Sequence, residues 1–206
     1  MTNTNSAIAL IVIAAIAVVA VFLVVAILWC VGAFSSVSLE NDTLDAKTFV
    51  YRTRRGAYSG IGALAFTVQS FVDQHGLRAQ TTLAAVYYDD PAQFCCCDEP
   101  RYAVGFLLDD DAAIARWESL RNTARGKKYS VLEIPENTAT LASRFRGSRF
   151  FAASKSFRAL AHEGHDFRTG CLQIYNRGTI ETHFPRDHLQ TFKPRPSDPF
   201  PKAAVT

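Results

Sequence analysis

The chain has 206 residues, 49% of them hydrophobic, with 22 Lys and Arg against 19 Asp and Glu for a net charge of +3. That length suits one domain of ordinary size with a genuine core and excludes a second large one. The charge carries no dense basic block, which excludes a nucleic-acid platform built on clustered cations, and the five cysteines lack the spacing of a disulfide framework.

The first charged residue is Glu40, and residues 7–34 are almost wholly Ile, Leu, Val, Ala and Phe. The run exceeds the roughly 20 residues that cross a bilayer's hydrocarbon core as a helix, so it is predicted to be a transmembrane helix. A cleaved signal peptide would need a basic n-region and a shorter apolar stretch, whereas Met1 to Ser6 hold no Lys or Arg. Basic residues follow the run (Lys47, Arg52, Arg54, Arg55) and none precede it, which places the N-terminus in the lumen and the domain in the cytosol. On that side Asn41-Asp42-Thr43 never meets the glycosylation machinery, and the thiols of Cys30, Cys95, Cys96, Cys97 and Cys171 stay free.

Residues 35–46 read as a polar connector, and 47–185 as the domain. Thr48 to Thr53 alternates like a half-buried strand. Gly56 to Gly60 breaks it, and Ile61, Leu64, Val68, Phe71 and Val72 then share one helical face until His75-Gly76. Leu83 to Tyr88 is a predicted strand closed by Asp89-Asp90-Pro91, Gln93 to Arg101 a loop, and Tyr102 to Leu108 a buried strand. Asp109 to Asp111 suit a helix N-terminus, ahead of Ile114, Trp117 and Leu120. Tyr129 to Ile134 and Ala139 to Phe145 are strand-like, and a helix from about Ser148 turns Phe150, Ala153, Phe157 and Leu160 inward. Leu172 to Tyr175, the turn Asn176-Arg177-Gly178 and Thr179 to Phe184 complete a hairpin. Strand, helix, strand, strand thus occurs twice, which predicts an α+β domain: one antiparallel sheet, helices on one face, the other face free. Residues 186–206 read as a Pro-rich, disordered tail whose Pro196-Ser197-Asp198-Pro199 has the PxxP form.

Gly56-Ala57-Tyr58, Ala85 to Pro91 with its Tyr-Tyr-Asp-Asp-Pro end, Tyr102-Ala103-Val104-Gly105 and Leu172-Gln173-Ile174-Tyr175 together resemble the testis-expressed protein 264 family, a membrane-anchored part of the GyrI-like domain superfamily. The resemblance implies a GyrI-like fold and an endoplasmic-reticulum adaptor that hands membrane fragments to autophagosomes (reticulophagy), with cytosolic protein partners. Such receptors carry a long acidic tail with an aromatic-x-x-aliphatic motif that adds a strand to a partner's sheet. Here that tail is lacking. The motif-shaped strings at Trp117, Tyr129 and Phe157 fall inside predicted elements and are expected in the core.

The resemblance also implies a small, often cationic or aromatic ligand on the free face of the sheet, held by tyrosines and by an acid that this chain replaces with Gln173. The groove candidates are Tyr58, Tyr87, Tyr88, Gln173 and Tyr175, and alternation lets only one of Tyr87 and Tyr88 face the groove. An amide offers hydrogen bonds but no countercharge, which weakens a cation site. A purely structural role, with the tyrosines completing the core, is the competing expectation. No catalytic residue, metal ligand or cofactor is expected: Cys95-Cys96-Cys97 lacks zinc-site spacing, and His162-Glu163-Gly164-His165 is one residue short of a metalloprotease motif and reads as a helix cap. The competing functions are the adaptor, a membrane-tethered small-molecule sensor and a hydrolase, the last requiring a carboxylate in the groove.

Overall fold

The computed structural model describes residues 4–90, 99–165, 170–176, 178–186, 192 and 199–201. The apolar start is a helix, α1 (Thr4–Cys30), whose window Leu10–Cys30 has a mean hydropathy of 3.5 and no buried residue. At about 1.5 Å per residue it is long enough and apolar enough to cross a membrane. Cys95 to Cys97 and most of residues 186–206, with the PxxP string, lie outside the described residues.

The domain follows as β1 (Leu39–Leu44), β2 (Lys47–Arg55), α2 (Ile61–Gln74), β3 (Thr81–Tyr87), β4 (Arg101–Leu108), α3 (Asp111–Arg121), β5 (Ser130–Ile134), β6 (Thr138–Phe145), α4 (Arg149–His162), β7 (Cys171–Asn176) and β8 (Thr179–Pro185). The eight strands form one antiparallel sheet in the order β1-β6-β8-β7-β3-β4-β2-β5. The α+β expectation and the duplicated strand-helix-strand-strand plan hold. Each half contributes three adjacent strands, and the halves meet along the β3–β7 seam.

One element was not expected. The polar connector contains β1, which pairs along the outer edge of β6, just as β5 pairs along β2. Its sequence, LENDTL, buries only Leu44, so periodicity gives no sign of a strand whose stability comes from backbone pairing.

Alternation sends Val50, Ala85, Tyr87, Val104, Phe106, Cys171 and Phe184 to the face covered by α2, α3 and α4. Trp117 and Phe157, from two of the motif-shaped strings, are buried there. Asp110 caps α3 by accepting from the Ala113 amide at 2.7 Å. Beyond α4, the amide of His165 donates to the Leu160 carbonyl and Gly164 sits at φ 75°, the left-handed cap expected for this His-Glu-Gly-His string.

The opposite face is not free. Phe49, Tyr51, Val86, Tyr88, Leu172 and Ile174 pack there with Phe192, which is fully buried, and Phe200. The Arg55 amide donates to the Pro201 carbonyl at 3.1 Å, and the Thr53 hydroxyl to the Pro199 carbonyl. Where the tail is described, it packs on this face through two aromatic side chains.

Candidate functional site

Between α2 and α4, on the helix-covered face, lies a cavity of about 430 Å³. Its walls are largely apolar: Ile61, Gly62 and Ala65 from α2, Leu83 and Val104 from the sheet, and Ala153 from α4, completed by Tyr58, Tyr87, Tyr175 and Arg149. The volume falls within the range of small-molecule sites. The groove was expected on the uncovered face. It lies on the other: Phe192 and Phe200 pack on the uncovered face, while α2 and α4, one helix per half, both line the cavity.

Pleating decides between the adjacent tyrosines. Tyr87 points into the groove; Tyr88 points to the opposite face, where its ring meets Phe200 edge-on at 5.7 Å. Tyr88 is thus removed from the candidates. Tyr58, on a single 3-10 turn after β2, lies 5.3 Å from the Tyr87 ring and 5.8 Å from that of Tyr102. Its hydroxyl donates to the Asp89 carbonyl at 2.6 Å. The Asp89 carboxylate in turn accepts from the Arg101 guanidinium at 2.7 Å and from the Arg101 amide at 2.7 Å. Asp89 therefore ties the groove residue Tyr58 to the end of β3 and the start of β4.

Beneath Tyr87 and Tyr175, and not itself part of the lining, Gln173 is fully buried. Its Oε1 accepts from the Tyr175 hydroxyl at 2.8 Å and from the Tyr87 hydroxyl at 3.2 Å, while its Nε2 donates to Thr182 Oγ1 at 3.1 Å. The chain of hydrogen bonds continues through the Ser156 hydroxyl, 3.2 Å from Thr182, to the Ser143 hydroxyl at 2.7 Å. Both acceptor positions of the amide oxygen are used by tyrosines, and a carboxylate could not supply the donation to Thr182.

Burial, the largest influence, pushes the Tyr58 and Tyr87 phenols well above their ordinary range and that of Tyr175 up to about 12. The hydroxyls are neutral donors at physiological pH. At the mouth the Arg149 guanidinium stands 5.4 Å from the centre of the Tyr175 ring. Among the described residues the lining holds no carboxylate, and no group of three His, Cys, Asp or Glu side chains could hold a metal.

Tyr58, Tyr87, Gln173 and Tyr175 are thus brought together, and Tyr88 is not. Arg149, Thr182, Ser156 and Ser143 escaped the sequence. A single Arg at the start of a helix reads as solvated, and isolated Ser and Thr carry no pattern until the strands are aligned.

These features define a class: an α+β domain behind an apolar N-terminal helix, with a ligand-sized, tyrosine-lined groove astride the seam of a duplicated sheet. No family model and no curated protein matches the chain. Among solved structures it is similar to EcmrR in an EcmrR–DNA complex, with 10% identity and a TM-score of 0.48 over 74% of this chain. The match spans only 58% of that EcmrR chain. It is also similar to SAV2435 bound to tetraphenylphosphonium, with 13% identity and a TM-score of 0.48 over 76% of this chain and 98% of that one. A hydrolase encoded by lin2189 from Listeria innocua shows 10% identity and a TM-score of 0.47 over 72% of this chain and 91% of that one.

Proposed function

We propose that the protein is a membrane-anchored ligand-binding protein that holds a small amphipathic molecule in the groove between α2 and α4 without transforming it. The observation that carries this reading is the cavity of about 430 Å³, walled by aliphatic and tyrosine side chains over a satisfied polar floor. Apolar walls with a few fixed polar groups are what a site that selects and orients a ligand requires. The described lining holds the hydroxyls of Ser59, Ser154 and three tyrosines, with no carboxylate or histidine to activate them.

Filling the groove tests it. Ala65 of α2 and Ala153 of α4 both line the cavity, so Ala153→Trp in the full chain should abolish saturable thermal stabilisation by a panel of aromatic amphiphiles while the unliganded domain still melts cooperatively. A panel that never stabilises the wild-type chain would refute the reading.

A second reading is the adaptor: a single-pass protein of the endoplasmic reticulum, N-terminus lumenal, whose cytosolic domain meets proteins of autophagy or membrane quality control. What supports it is Phe66, 72% exposed on α2, beside a trough lined by Arg52, Arg125 and Lys128; exposed aromatics rimmed by cations suit an acidic partner surface. Orientation rests on the basic residues that follow α1, and location on the sequence resemblance. Phe66→Ser should abolish capture of autophagy components from solubilised membranes, with protease protection on sealed microsomes deciding the orientation.

A further inference from the structure

The end of α1 is not a loose tether. The Ser148 amide donates to the Val31 carbonyl at 2.9 Å, and Lys155 Nζ donates to the Ala33 carbonyl at 2.9 Å and to that of Ser35. Gly147 lies at φ 152°, and a Cβ there would come within 2.6 Å of the Val31 oxygen, so the junction depends on a residue without a side chain. Trp29 and Phe34, 73% and 61% exposed with ring centres 6.3 Å apart, mark this end of α1 as the level of the membrane interface.

The same turn of α4 that grips α1 lines the groove. Arg149 is the next residue after Ser148, and Ala153 and Ser154 follow within roughly 9 Å along the helix. The polar layer outside the hydrocarbon core is itself about 5–8 Å thick on each side, so the junction with α1 keeps the start of α4, and with it the mouth of the groove, close to the membrane surface. The only charged side chain among the described lining is the cation Arg149. Asp89, whose carbonyl holds the Tyr58 hydroxyl, is neutralised by Arg101 at 2.7 Å, and the Gln173 amide behind the tyrosines is neutral and fully hydrogen-bonded.

We propose that the groove takes an anionic amphiphile from the bilayer in which α1 sits, its apolar body between α2 and α4 and its acidic head on Arg149. This rests on the ligand-binding reading above and adds the charge and the source of the ligand. Among the described residues a cation would meet Arg149 at the mouth and no countercharge in the lining; an anion meets a guanidinium that stands over the Tyr175 ring.

The test uses the full chain in phosphatidylcholine nanodiscs, titrated calorimetrically with naphthaleneacetate and with naphthylethylammonium, a pair of similar shape and opposite charge, against empty discs. Wild type should bind the acetate about tenfold tighter, the equivalent of one charged hydrogen bond. Arg149→Gln should level the two, and Arg149→Glu should invert them. Equal binding by wild type, or preference for the ammonium, overturns the proposal while leaving the ligand reading intact; binding of neither probe sinks both. In discs carrying photoactivatable phosphatidic acid, labels should map to α2 and α4 in wild type and be lost from them in Ala153→Trp. Labels confined to α1, with the acetate still preferred, would make the source a soluble anion and overturn the bilayer origin.

Discussion

The two halves of the sheet share a plan but not an interior. With Tyr87 laid over Tyr175, Ala85 falls on Gln173; Val104, which pairs with Ala85, falls on Thr182, which pairs with Gln173. Across the seam Ala85 and Gln173 are themselves partners. One row over the sheet therefore reads Val104, Ala85, Gln173, Thr182, Ser143: apolar in the first half, hydrogen-bonded in the second. The first half supplies plain wall and the second supplies the polar floor. The asymmetry teaches that a duplicated fold acquires a site by making its two copies different at the seam, while the strand pairing that holds them stays the same.

The largest effect expected comes from breaking the first half where it is tightest. In the same overlay Gly105 falls on His183, facing away from the helices. A Cβ at Gly105 would lie 2.0 Å from the Val50 carbonyl oxygen and 2.7 Å from Tyr51 Cα, so backbone itself must move. Gly105→Ala should cost about 3 kcal/mol, the upper range for overpacking, measured by chemical denaturation. The position in the second half tolerates an imidazole, so Gly105 marks where β2 and β4 approach more closely than their counterparts.

Next comes erasing the difference from the other side. Gln173→Leu makes the second half resemble the first and removes the acceptor of both tyrosines and the donor to Thr182. Tyr87 and Tyr175 keep one another at 3.4 Å, which softens the loss. The expected cost is about 2 kcal/mol, and the Tyr175 titration, monitored by ultraviolet absorbance, should change with it. For Tyr175 the sign is fixed: its folded pKa, about 12, lies above the ordinary 10. The wild-type phenol's contribution is therefore whole below pH 10 and is lost as the pH rises towards 12. The converse swap, Val104→Thr, buries a hydroxyl among apolar neighbours and should cost about 1.5 kcal/mol by the same denaturation measurement. A neutral result in both swaps would mean the two interiors are interchangeable.

Much of this was legible in the residues. Long periodic elements such as α2 and α4 declare themselves, and the Tyr87–Tyr88 alternation announced that one ring would leave the groove. What stayed hidden depends on pairing at a distance. β1 has one buried side chain to signal it. The docked tail shows only Phe192 and Phe200 among prolines. The face of the groove is set by how the two crossovers pack, which no local pattern encodes. Gln173 could be named from its place before Ile174-Tyr175, but its partners Thr182 and Ser156 could not, because a hydrogen bond across strands has no period.

The smallest expected effect contrasts the two halves on the face away from the helices. Where the first half has Gly105, the second buries His183, whose Nδ1 lies 3.2 Å from the Thr140 hydroxyl. Burial, the first cause, lowers its pKa below 6.5, although Glu181 and Asp42 act to raise it and Arg144 adds to the lowering. A histidine held neutral in the fold binds more protons once unfolded. Stability is therefore complete above pH 6.5 and declines as the pH falls below it. His183→Gln should flatten that decline in urea melts followed from pH 7.5 to 5, with the midpoint at the upper end little changed. An unchanged slope would assign the acid sensitivity to the Arg144 cluster with Glu40, Asp42 and Glu181 instead, whose exposed pairs contribute little each.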